Sequence, residues 1–118
     1  MALKSGGMAA KFKSVDAQTA HRIVESGAHV VDVRDEEAFA AGHVEGADRV
    51  ALGRVGSHSV GRADTVVAVC ANGSRSKRAA KKLAKDGYQT YHLEGGLLEW
   101  QAAGLPLRSN NGSRPTII

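Results

Sequence analysis

The chain has 118 residues, 42% of them hydrophobic, which suits one domain with its own core. A single cysteine excludes an intramolecular disulfide and any cysteine-rich zinc site, and it fits a reducing, cytoplasmic setting. The net charge of +4 favours small anionic substrates or acidic partners; with 4% aromatics and no apolar run of membrane length, neither nucleic acid nor membrane is expected as a partner.

Residues 1–13 read as an N-terminal extension without the apolar stretch of a secretory signal; Ser5-Gly6-Gly7 before Met8 has the look of a cloning scar over residues 1–7. The domain is expected over 14–106. Ser14 is placed to cap a first helix in which Ala17, Ala20, His21 and Val24 recur at helical spacing, and Gly27 ends it. Ala28–Val33 is a β-branched, nearly continuous apolar run, as in a sheet covered on both faces. Arg34-Asp35 leads into a short helix over Glu36–Ala41, with acidic residues in its first turn and Gly42 as its stop. Asp48–Leu52 reads as a short strand. Gly53–Ala63, rich in Gly, Ser and Arg, reads as a surface loop with room for one helical turn. Thr65–Val69 is the second strong strand and ends at Cys70. A helix follows from about Ser76 to Lys85, with Ala79, Ala80, Leu83 and Ala84 as its apolar stripe and Gly87 beyond it. Tyr88–Leu93 is a third strand, Glu94-Gly95-Gly96 a turn, and Leu97–Ala103 a last helix ended by Gly104 and Pro106. Residues 107–118 are polar and read as a flexible tail. Helices alternating with short apolar strands predict an α/β fold with a central parallel sheet flanked by helices, and ligands of such sheets bind at the carboxyl ends of the strands.

Cys70 lies at such an end, in Cys70-Ala71-Asn72-Gly73-Ser74-Arg75-Ser76. A cysteine closing a buried strand is ordinarily a small hydrophobe. The residues after it point elsewhere. Gly73 permits positive φ, Asn72 tolerates it, and Ser74 or Ser76 can cap the helix. The free N–H groups and positive dipole end of that helix favour an anion, and a sulfur there is favoured as thiolate. Arg75 adds a permanent cation. The stretch predicts a nucleophilic thiolate inside an anion-binding cradle.

Four segments in this order carry a family resemblance: Asp32-Val33-Arg34; Gly42-His43-Val44-Glu45-Gly46-Ala47; Cys70 to Ser76; and Gly95-Gly96 with Trp100. Together they resemble a single-domain rhodanese, a sulfurtransferase, over about Ser14–Pro106. The resemblance implies a rhodanese-like three-layer sandwich. It implies that Cys70 takes a sulfane sulfur from a donor such as thiosulfate, holds it as a persulfide, and yields it to cyanide or a thiol. Ala71, Asn72, Gly73, Ser74, Arg75 and Ser76 would bind the donor and the transferred sulfur. Glu45 departs from the family, whose loop commonly carries proline at that position. A thiolate is a soft nucleophile suited to divalent sulfur, and loop amides with Arg75 can stabilise departing sulfite.

Two other readings remain open. A cysteine phosphatase or arsenate reductase also combines thiolate, amide cradle and arginine, but its Cys-x5-Arg loop is one residue longer than the one here, where Ala71, Asn72, Gly73 and Ser74 separate Cys70 from Arg75. A sulfur-relay or binding module would be loaded by a partner protein instead. His43 reads as a tie between backbone groups, and Asp32 with Arg34 as ion-pairing supports beneath the loop. His21, His29, His58 and His92 lack ligand-like spacing, so neither a metal nor any other cofactor is expected. Lys77, Arg78, Lys81, Lys82 and Lys85 form a basic face, solvated or able to draw anionic donors or an acidic acceptor protein. Trp100 with Leu97 is expected in the core.

Overall fold

The computed structural model describes residues 11–56 and 65–118. His58 and most of the Gly53–Ala63 loop lie outside the described residues. Among the described residues, five strands, β1 (Lys13–Val15), β2 (His29–Asp32), β3 (Asp48–Arg49), β4 (Thr65–Val69) and β5 (Gln89–Leu93), form one sheet in the order β1-β5-β4-β2-β3, and every pairing is parallel. The helices are α1 (Ala17–Glu25), α2 (Glu36–Ala41), α3 (Ser74–Lys85) and α4 (Gly96–Ala102), with a 3-10 turn at Leu52–Arg54.

Parallel strands buried on both faces need apolar residues at successive positions, and β4 supplies them. Val67 and Val69 enter one core with Ala17, Ala20, Leu93, Leu97 and Trp100, between the sheet and α1 and α4. Val66 and Ala68 enter the other, with Ala79, Ala80 and Leu83 of α3. The period of two then decides where Cys70 goes: two residues past Ala68, its side chain falls on the α3 side and joins that second core. Trp100 is buried, and its indole N–H donates to the Pro106 carbonyl at 2.9 Å.

Several elements differ from the sequence expectation. Ser14 does not cap α1; it lies in the edge strand β1, and Asp16 is the cap, its carboxylate accepting from the Thr19 N–H at 2.9 Å. That backbone bond holds the Asp16 carboxyl below its ordinary range. The Asp48–Leu52 strand is only two residues long, after which the chain turns at Leu52–Arg54. Residues 107–118 are not a free tail. Backbone bonds pair Arg108 with His43, the Thr116 N–H donates to the Ala41 carbonyl, and Ile117 is buried in the α1–α4 core. Gly42 is required where this segment crosses, because a Cβ there would overlap the backbone of Thr116. Among the described residues, no helix is long and apolar enough to cross a membrane.

Candidate active site

After Cys70 the chain makes one tight loop and enters α3. Gly73 is the N-cap residue, at φ +93° and ψ −9°. A side chain there would be strained by the positive φ and would overlap the Glu94 carbonyl. Neither Ser74 nor Ser76 caps the helix. Instead, the Asn72 side-chain oxygen accepts from the Ser74 N–H at 3.0 Å and from the Ser74 hydroxyl at 2.9 Å, while the buried Ser76 hydroxyl donates to the Gly73 carbonyl at 3.3 Å. Asn72 keeps an ordinary negative φ, since only glycines have positive φ among the described residues.

This geometry aims amides at the sulfur. The Gly73 N–H lies 3.2 Å and the Ser76 N–H 3.3 Å from Cys70 Sγ, which is fully buried. Two donors on one sulfur at the positive end of a twelve-residue helix suit an anion. The outward side of the loop is held as well. Leu97 and Leu98, in the first turn of α4, donate to the carbonyls of Cys70 and Ala71 at 2.8 and 3.0 Å. These two bonds anchor the start of the loop to α4. Gly96 allows the close approach: at φ +72°, a Cβ on it would overlap Ala71 and the Asn72 backbone. Gly96→Ala should therefore destabilise the domain by more than the ~1 kcal/mol of an unfavourable backbone conformation alone, and should slow the chemistry of Cys70 per folded molecule. Urea unfolding with parallel activity assays checks this, and wild-type values on both would remove the role given to Gly96.

The other sequence candidates are more dispersed. Arg75 stands in the first turn of α3, exposed, and its guanidinium makes no hydrogen bond or ion pair to a described residue. Asp32 and Arg34 form a buried ion pair at 2.7 Å, and Arg34 also donates to the Ala38 and Gly42 carbonyls. These bonds brace α2 and its exit, not the cysteine loop. His43 bonds the Phe39 carbonyl at 2.7 Å and stacks on the Phe39 ring at 4.1 Å, so it ties backbone together at that corner. Lys77, Arg78, Lys81, Lys82 and Lys85 are exposed, and Lys82 reaches Asp86 at 3.5 Å. His21 packs edge-on against Trp100, and His29 pairs with Asp48 at 2.8 Å. His92 is the residue the sequence reading passed over. It is buried, and its Nε2 lies 2.7 Å from the Gly73 carbonyl. Its signal was available: a polar side chain on the inward phase of a strand between two covered faces needs a partner.

A five-stranded parallel sheet with a cysteine cradle at the end of its central strand is the architecture of rhodanese-like domains, and residues 16–103 match the Rhodanese-like domain family. The chain belongs to that family. It is similar to the thiosulfate sulfurtransferase GlpE of Ectopseudomonas mendocina (strain ymp), at 36% identity over 107 residues that cover 87% of this chain and 96% of that protein. Among solved structures, it resembles a thiosulfate sulfurtransferase from Pseudomonas aeruginosa, with TM-score 0.75 and 25% identity over 84% of this chain and 20% of that one. A protein of unknown function from Rhodopseudomonas palustris CGA009, described as a possible tyrosine phosphatase, matches with TM-score 0.70 and 25% identity over 92% of this chain and 98% of that one. The protein is a rhodanese-like sulfurtransferase.

Proposed function

We propose that this sulfurtransferase moves a sulfane sulfur from a small anionic donor such as thiosulfate to cyanide or a thiol through a persulfide on Cys70. The observation that carries the reading is the pair of N–H groups, from Gly73 and Ser76, converging on Sγ at the start of α3. In the first half-reaction the Cys70 thiolate attacks the sulfane sulfur of thiosulfate. A new S–S bond forms, the old one breaks, and sulfite leaves with the electron pair. In the second, the acceptor attacks the outer sulfur of the persulfide and Cys70 departs as thiolate. The attacking thiolate and the persulfide both carry negative charge, so the same two amides serve both. The relatives' thiosulfate chemistry supports the donor class.

The phosphatase reading takes its support from the likeness to the R. palustris protein. Loop length weighs against it, because four residues between Cys70 and Arg75 close the cradle around one sulfur, not a tetrahedral phosphate. Incubation with thiosulfate followed by intact-mass measurement decides: one added sulfur is expected, on Cys70, and an unchanged mass would end the proposal.

Arg75 is proposed to meet the sulfonate end of the donor. An electrostatic donor enclosed in a dry site is worth ~10²–10³ in rate, but this guanidinium is exposed and screened, so Arg75→Ala should slow loading by only about tenfold. Discharge to cyanide should change less, since the persulfide rests on backbone amides. Arg75→Lys should keep most of the loading rate, because no paired contact of the guanidinium is used. Stopped-flow of each half-reaction reads this; equal losses in both would mean that Arg75 shapes the loop and does not address the donor, and no loss in loading would favour a relay module fed by a protein persulfide.

A further inference from the structure

We propose that His92, with Ser14 behind it, is a positioning residue that fixes the Gly73 turn and so keeps the cradle's amides on Cys70; this rests on Cys70 being the sulfur carrier. The sheet lines these groups up. Ser14 of β1 pairs in register with His92 of β5, and His92 with Ala68 of β4. Neighbours in a parallel sheet share a face, so His92 lies on the α3 side, the side of Ala68 and Cys70. Leu93, next along β5, faces the opposite core.

The proton positions follow from the partners. A carbonyl oxygen only accepts, so the 2.7 Å contact with Gly73 requires the proton on Nε2. In the neutral ring Nδ1 is then an acceptor, and the Ser14 hydroxyl, 3.0 Å away, donates to it. Phe12 packs edge-on against the ring, with centroids 5.8 Å apart, and limits its rotation. The result is a directed chain from the Ser14 hydroxyl through the imidazole to the Gly73 carbonyl. Gly73 is the hinge of the cradle. Its N–H points at Sγ, its φ lies in a region where neighbouring wells are close in energy, and its carbonyl is the handle that sets ψ. A glycine held only by its own loop would sample those wells; the strand-borne imidazole pins it to the sheet.

Amide hydrogen exchange by NMR tests this without relying on turnover, in the wild type and in His92→Leu, His92→Gln and Ser14→Ala. In His92→Leu, the Gly73 and Ser76 N–H groups should exchange about tenfold faster while the β4 amides stay as in the wild type, and thiosulfate loading should slow about tenfold at a similar KM. His92→Gln should restore both readouts, because its side-chain amide can donate to the Gly73 carbonyl. Ser14→Ala, at an exposed edge, should fold normally and give a smaller acceleration at Gly73. A folded His92→Leu with wild-type exchange at Gly73 and Ser76, or with all amides accelerated alike, overturns the proposal. Should His92→Leu not fold, unchanged Gly73 exchange in Ser14→Ala overturns it. A wild type that takes no sulfur from thiosulfate strikes the donor reading, and the exchange results still decide the role of His92.

Discussion

Cys70→Ser should fold as the wild type does and transfer no sulfur. The substitution exchanges one atom for a smaller one at a fully buried position, and both N–H donors can still reach the hydroxyl, so the packing cost is small. The chemical cost is total. A hydroxyl is not appreciably ionised near neutral pH, is a hard nucleophile towards divalent sulfur, and cannot carry a persulfide. No second thiol exists to take over, since Cys70 is the chain's only cysteine. Circular dichroism and thermal unfolding should match the wild type, the mass after incubation with thiosulfate should stay unchanged, and thiocyanate should not form. Substantial thiocyanate from this variant would mean that sulfur passes without a covalent enzyme intermediate, and the persulfide reading would fall.

The α/β class was legible because its signals are side-chain signals. The runs before Asp32 and before Cys70 are apolar at consecutive positions, which only a doubly covered strand tolerates, and Glu36–Ala41 is bracketed by Asp35 and Gly42. The cysteine loop was legible for the same reason, since its glycine and the helix after it are written in residue types. What could not be read is held by the backbone. Strand β1 has only Lys13, Ser14 and Val15, and is a strand because β5 offers it a parallel edge. Residues 107–118 look polar, yet their main chain pairs with α2 and the His43 loop, and Leu107 and Ile117 are the apolar side chains they lend to the core. The capping of α1 went to Asp16 over Ser14 for a related reason: both can cap, and β1 pairing claims Ser14. His92 escaped notice because its partners, Ser14 and the Gly73 carbonyl, are far away in sequence and one of them is main chain.

Arg34→Leu should be among the most destabilising single changes in the domain, and should leave the sulfur chemistry of the folded fraction intact. Asp32 and Arg34 are 0% and 1% exposed. The carboxylate is held by the Arg34 side chain through Nε and Nη2 and by the Arg34 N–H, while the guanidinium also satisfies the Ala38 and Gly42 carbonyls. Removing the cation strands a buried carboxylate and takes from the Gly42 carbonyl its guanidinium donor, while the Ala38 carbonyl keeps the Gly42 N–H at 3.3 Å. Breaking such a pair costs ~3–5 kcal/mol, a large share of the ~5–15 kcal/mol that holds a domain of this size together. The double variant Asp32→Val with Arg34→Leu removes the stranded charge and should recover part of the loss, though not all, because the Gly42 carbonyl still lacks its guanidinium donor. Urea unfolding of the three variants, Asp32→Val included, gives the coupling directly. A cost below about 1 kcal/mol for Arg34→Leu would show that water or a rearranged α2 replaces the guanidinium. The activity arm separates brace from cradle. The pair's bonds run to α2 and its exit, so the folded fraction of Arg34→Leu should load sulfur at the wild-type rate. Slow loading by a fully folded variant would mean that the brace is felt through β2 and Val69, whose carbonyl accepts from the Val33 N–H at 3.1 Å, one residue before Cys70.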